Sequence, residues 1–137
     1  MKAVLPIFLL IFAITLSGCV GQSTGSSVLP QIAKPSFSIQ DAGSKVNDFL
    51  AAFNVNLKFN IVNDGDATAT DTRVNIEVID SKDGRIAAQD TFVIGTLSQD
   101  QARLIEKTYN VWRGSYTIRI QVSSAEGVTE STQFNVG

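Results

Sequence analysis

Between Phe53 and Ile61 apolar and polar side chains alternate without interruption: Phe53, Val55, Leu57, Phe59 and Ile61 against Asn54, Asn56, Lys58 and Asn60. In an extended chain successive side chains point to opposite faces, so this stretch reads as a strand with one buried and one wet side. The spacing does not suit an amphipathic helix. A strand of this kind needs an opposing apolar layer, and other alternating stretches supply one. Val74, Ile76 and Val78 alternate with Arg73, Asn75 and Glu77, and Tyr116, Ile118, Ile120 and Val122 alternate with Thr117, Arg119 and Gln121.

Turn signals separate these stretches. Asn63-Asp64-Gly65-Asp66 offers a turn in which Gly65 takes a positive φ, and Ser81-Lys82-Asp83-Gly84 ends in the Asp-Gly pair favoured by hairpins. A first strand is expected at Ser36 to Gln40, followed by a loop through Asp41, Gly43, Ser44, Lys45 and Asn47. A weaker strand covers Ile86 to Ile94, a loop containing Leu97 covers Gly95 to Gln101, another strand covers Ala102 to Tyr109, and a closing segment covers Val128 to Val136. The expectation is an all-β fold, an immunoglobulin-like or fibronectin-type antiparallel β-sandwich of about seven strands in one domain over residues 35–137. Its expected core is Phe37, Ile39, Phe53, Val55, Leu57, Phe59, Ile61, Val74, Ile76, Val78, Phe92, Leu104, Tyr116, Ile118, Ile120 and Val122.

Composition narrows the chemistry. The 137 residues contain no His and a single Cys. That removes imidazole bases, His-assisted nucleophiles, intramolecular disulfides and thiolate cages. Neither a Gly-x-Ser-x-Gly elbow nor a phosphate-cradling glycine loop is present. Paired carboxylates could in principle hydrolyse a glycoside, but a small sandwich with short loops leaves little room for the cleft. With 11 Lys and Arg against 13 Asp and Glu, the surface is unsuited to a nucleic-acid backbone. No enzymatic activity, no cofactor and no nucleic-acid partner are expected.

The N-terminus has a different character. Met1-Lys2 gives a positive start, Ala3 to Leu16 is apolar apart from Pro6 and Thr15, and Leu16-Ser17-Gly18-Cys19 follows directly. A basic start, a short apolar run and small residues describe a secretory signal. Leu16-Ser17-Gly18-Cys19 resembles the lipobox of prokaryotic lipoproteins. The resemblance implies that Leu16, Ser17 and Gly18 are read by the signal peptidase, that residues 1–18 are removed, and that Cys19 carries the lipid. The protein is then expected outside the cytoplasm, anchored to the membrane through Cys19. Where a cell has two membranes, the absence of an acidic residue at Val20, Gly21 and Gln22 would permit the outer one. Residues 19–34, rich in Gly and Ser after Cys19, read as a flexible tether spanning roughly 20 Å. Val28, Leu29 and Ile32 leave open an arm packed on the domain.

The domain itself resembles CARDB, a prokaryotic adhesion-related immunoglobulin-like module. Asn63, Gly65 and Ala69 match its N-x-G-x-x-x-A opening, Leu97 its apolar residue before a turn, Gly114, Tyr116 and Ile118 its G-x-Y-x-hydrophobic strand start, and Val128-Thr129-Glu130 its closing V-x-E. The chain departs from that pattern at Ser98-Gln99-Asp100-Gln101, where the family has Pro-Gly, and in keeping only Asn135 of a closing Asn run. Fibronectin-type, late-embryogenesis-like and F-x-L-y-D lipoprotein domains therefore stay open. All imply scaffold or binding roles.

Three groups of residues are candidate sites. Tyr109, Trp112 and Arg113 lie by a loop where aromatic faces could stack on a sugar or anchor a protein; equally, Trp112 could close the end of the sandwich and Tyr109 pack along its edge. Asp64, Asp66 and Asp71 are weak candidates for Ca²⁺, as are Asp80 and Asp83, but they lack the ordered calcium loop and suit solvated turns. The face bearing Asn54, Asn56, Lys58 and Asn60 is either ordinary sheet surface or a ligand platform. The functional expectation is a non-catalytic, membrane-anchored module for interaction with an envelope or secreted protein, or for organising the cell envelope. The alternative is a carbohydrate- or peptide-binding module built on the loop around Trp112.

Overall fold

The computed structural model describes residues 31–49 and 51–137. Leu16, Ser17, Gly18 and Cys19, and with them the lipidation and cleavage expectations, lie outside the described residues. The described part forms one unit, Ile32–Gly137, of seven strands: β1 (Phe37–Phe49), β2 (Ala52–Asn63), β3 (Ala69–Asp80), β4 (Ile86–Leu97), β5 (Ala102–Trp112), β6 (Tyr116–Ser123) and β7 (Thr129–Val136). They make two sheets, β1-β2-β5 and β4-β3-β6-β7, and each pairing is antiparallel. Packed face to face, these sheets are an immunoglobulin-like sandwich of fibronectin type.

The core lies where alternation puts it. Phe53, Val55, Leu57, Phe59 and Ile61 of β2 face Val74, Ile76 and Val78 of β3 and Tyr116, Ile118, Ile120 and Val122 of β6, all buried. Ile39 and Phe92 pack against this core half-buried. Leu104 is a correction: it is 48% exposed, while Ile105 is buried. Directly paired residues share a sheet face, and β5 pairs Phe59 with Ile105 and Asn60 with Leu104. The inward Phe59 therefore carries Ile105 inward.

Other expectations also change. The segment from Asp41 to Asn47 is not a loop but part of β1, which slips its register between Gln40 and Gly43 and then pairs onward to Phe49. Asp41 sits at the slip with φ 54, a left-handed value that Asp tolerates better than most residues. Leu97 is not in a loop but closes β4, fully buried, after Gly95 turns at φ 85. Gly65 is not among the positive-φ residues; it is needed for close approach. A Cβ there would lie 2.5 Å from the Lys34 carbonyl oxygen and 2.6 Å from the Pro35 carbonyl carbon. The Asp83-Gly84 turn does form, with Gly84 at φ 73.

Each pole of the sandwich is pinned by one polar side chain. At the pole where the chain enters β1, buried Asn63 accepts from the Ser36 and Gly65 amides through Oδ1 and donates through Nδ2 to the carbonyls of Ala67 at 2.8 Å and Leu97 at 2.9 Å. Its backbone bonds to Gln101 and Asp100 as well. The side-chain amide thus serves the chain entering β1, the β2–β3 turn and the end of β4, while the backbone of the same residue holds the turn into β5. At the opposite pole the Tyr116 hydroxyl, at the start of β6, donates to the Trp112 carbonyl at 2.6 Å. This is a tyrosine corner, fastening the crossing from one sheet to the other.

Candidate functional site

Strands β4 and β5 are the edges of their sheets and meet on the same side of the sandwich. Midway along this seam Lys107 Nζ of β5 lies 2.6 Å from Asp90 Oδ2 of β4 and 4.2 Å from the centre of the Phe92 ring. An ion pair and a cation–π contact close the seam there. Next to it the Tyr109 hydroxyl is buried with no hydrogen-bond partner among the described residues, and desolvation, with the Asp90 charge, pushes its pKa up to about 12.

Toward the Trp112 pole the seam opens into a cleft of about 460 Å³. Ile86 and Ala87 form the β4 wall, and Asn110, Val111 and Trp112 form the β5 wall. Strand alternation determines how Trp112 is presented: Val111 is buried, so Trp112 must point outward, and it is 76% exposed. Its backbone is held by the Tyr116 hydroxyl and, at the next residue, by the Arg113 amide donating to the Ala51 carbonyl at 3.0 Å. The indole is exposed on a fixed support rather than laid over the end of the sandwich.

Polar groups complete the cleft. Asp80, at the end of β3, accepts the Lys82 amide at 2.8 Å, while Arg85 pairs with Asp83 at 2.7 Å. Among the described residues Asp80 is in no ion pair. Burial, with the Asp80 charge, pushes the Tyr116 hydroxyl up, so it remains a donor at neutral pH. Asn110 Nδ2 donates to Asn54 Oδ1 at 2.9 Å, which leaves the Asn110 oxygen as an acceptor. The arrangement joins an aromatic plate, two short apolar walls and a few hydrogen-bonding groups. It brings no nucleophile and base together.

The candidate residues do not all converge. Trp112 lines the cleft, whereas Tyr109 faces inward on the opposite face of β5 and packs against the core. Arg113 borders a separate depression with Val46, Phe53 and Gly114. Asp71 pairs with Arg73 at 2.8 Å, while Asp64 and Asp66 use their amides to hold Ser36 and Lys34. Among the described residues no group of three potential ligands is placed to hold a metal ion. On the outer sheet face, Asn54 bonds to Asn110, Asn56 to Thr108 and Lys58 to Glu106, so these polar side chains largely satisfy one another. Asn110 and Ile86 are among the cleft residues that the sequence did not single out, and Asp80, considered there only as a weak Ca²⁺ candidate, lines the cleft with them. Nothing local marks them, because strands distant in sequence bring them together.

No family model and no curated protein matches the chain. Among solved structures it is similar to a Parabacteroides merdae β-glucuronidase, with TM-score 0.59 and 16% identity over 74% of this chain and 13% of that one. It is also similar to a protein assigned as a β-galactosidase from Bacteroides fragilis, with TM-score 0.58 and 12% identity over 70% of this chain and 16% of that one. A third is a protein assigned as ApaA from Bordetella pertussis, with TM-score 0.55 and 10% identity over 77% of this chain and 94% of that one. At such identities the likeness is one of fold. The chain spans about a seventh of the first two proteins and nearly all of the third. The class defined here is an all-β immunoglobulin-like sandwich carrying an aromatic cleft at one pole.

Proposed function

We propose that the protein is a non-catalytic binding module held outside the cytoplasm by lipid on Cys19, with the Trp112 cleft as its ligand surface. The observation that carries this reading is an indole 76% exposed on a fixed backbone beside a cleft with few polar groups. An exposed Trp of this kind is the residue type that dominates binding energy, since it buries a large area at low conformational cost. Sugar rings and peptide side chains both suit it. The CARDB-like motifs, which imply adhesion and interaction, support the same reading.

The position of the cleft fits an anchored module. The chain enters β1 at the Asn63 pole, and β2, from Ala52 to Asn63, separates that pole from Trp112 by roughly 35 Å. The segment that leads into β1 therefore enters the domain at the pole opposite the cleft, which leaves the cleft open to soluble or surface-bound ligands.

The test uses Trp112 as its own reporter, since it is the only Trp in the chain. Full-length protein in detergent is titrated with neutral oligosaccharides and short peptides while tryptophan emission is followed. A saturable shift for at least one ligand, with its binding lost in Trp112→Ala by calorimetry, is expected. Binding that survives in Trp112→Ala, or no saturable ligand at all, overturns the reading. Replacement of Cys19 by Ala is expected to release the protein from membranes, as checked by fractionation.

A further inference from the structure

Resting on that reading, we infer that the ligand is an extended polypeptide of a partner protein, which pairs with the free edge of β5 beside Trp112 and sets a basic side chain against Asp80. An edge strand presents alternate N–H and C=O groups to whatever lies beside it, and proteins block such edges with charges that point inward. Lys107 and Asp90 are that device at the middle of this seam, where they bond across it at 2.6 Å. The protection stops there. From Thr108 to Trp112 on β5 and from Ile86 to Gln89 on β4 no residue is charged, and among the described residues no further strand pairs with either edge.

The seam is therefore latched in its middle and open at the Trp112 end. The open part is lined by strand backbone on both sides, the environment in which an added strand gains main-chain hydrogen bonds while its alternate side chains enter pockets. Trp112 and Ile86, 76% and 52% exposed, offer apolar contact to one side chain. Charge selects another: Asp80 and Arg85 both line the cleft, but Arg85 is paired with Asp83 just outside it, so among the described residues the Asp80 carboxylate is the cleft charge without an ion-pair partner. A peptide with a basic residue beside aliphatic or aromatic ones complements this cleft, and an acidic one does not. A neutral glycan would use Trp112 but neither the strand edge nor the charge.

Full-length protein in detergent is titrated, with Trp112 emission and calorimetry as readouts, against peptides acetyl-Thr-Zaa-Lys-Zaa-Thr-amide in which Zaa is Val, Leu, Phe or Tyr. Saturable binding is expected for members of this set. It should be at least about fivefold weaker when alternate amides are N-methylated, when Glu replaces Lys, and for the Lys peptides in Asp80→Asn. Equal binding of the N-methylated peptides, or indifference to the Lys-to-Glu exchange, overturns the inference. Saturable binding of cellohexaose without any peptide binding also overturns it, while leaving the Trp112 cleft a ligand site. Failure of both ligand sets to bind overturns the inference and the proposed function together.

Discussion

Asn63 Nδ2 of β2 donates to the carbonyl of Leu97 at the end of β4, 2.9 Å away, a bond across 34 residues of chain that ties one sheet to the other. The same amide serves Ala67, Ser36 and Gly65. Replacing Asn63 by Ala would strand several buried backbone groups at once, each expensive to leave unpaired. A loss of about 3 kcal/mol or more is expected in urea unfolding. Asn63→Asp is expected to fail similarly, because a carboxylate cannot donate to the two carbonyls.

The facing of β5 makes a paired prediction. Ile105→Ala is expected to cost about 2–4 kcal/mol, since it opens a cavity under Phe59. Leu104→Ser, one residue away, should change stability by no more than about 0.5 kcal/mol. Equal effects in thermal unfolding would mean that the register with β2 is wrong.

Acid stability should depend on Glu126. Its carboxylate accepts from the Thr70 hydroxyl, and its two oxygens share the single Thr70 N–H; hydrogen bonding from Thr70 first, then from the Ser124 side chain, holds its pKa down to about 2 from an ordinary 4.5. Between those values the unfolded chain takes up a proton that the folded chain refuses, so stability falls as pH drops from about 4.5 to about 2. Glu126→Gln is expected to flatten that part of the stability profile, as measured by unfolding at stepped pH.

At the alkaline end the sign reverses. Tyr109 ionises at about 12 in the folded protein against an ordinary 10, so its contribution is intact below 10 and is lost as pH rises toward 12. Phenolate absorbance should rise late in the folded protein. In Tyr109→Phe the late phase should shrink, leaving that of Tyr116.

Much of the fold was legible because sandwich strands obey a period of two, and β2, β3 and β6 carry it clearly. The errors fell where pairing overrides local pattern. Gly43, Ser44, Lys45 and Asn47 have the composition of a loop, yet β2 offers a ladder of partners and draws them into β1. Leu104 and Ile105 are adjacent and both apolar, so only their partners in β2 decide which one faces inward. The turn at Gly65 was recognised, but the reason for glycine was steric approach of the chain before β1 rather than φ. At the candidate site, Trp112 was visible as an unusual residue near a loop, whereas Ile86 and Asn110 were not, and Asp80 was visible only as a turn carboxylate with no link to Trp112.

The amino-acid sequence by itself determined an all-β chain, its main strands, and a composition without imidazole chemistry, because side-chain alternation and residue inventory are local properties. The tertiary structure alone decided that Trp112 stands outside the core, that Tyr109 turns inward and packs against it, and that Asp80, Ile86 and Asn110 share a cleft with the indole. Those are consequences of sheet order and register: hydrogen bonds between strands far apart in sequence select which face each residue takes and which edges remain open.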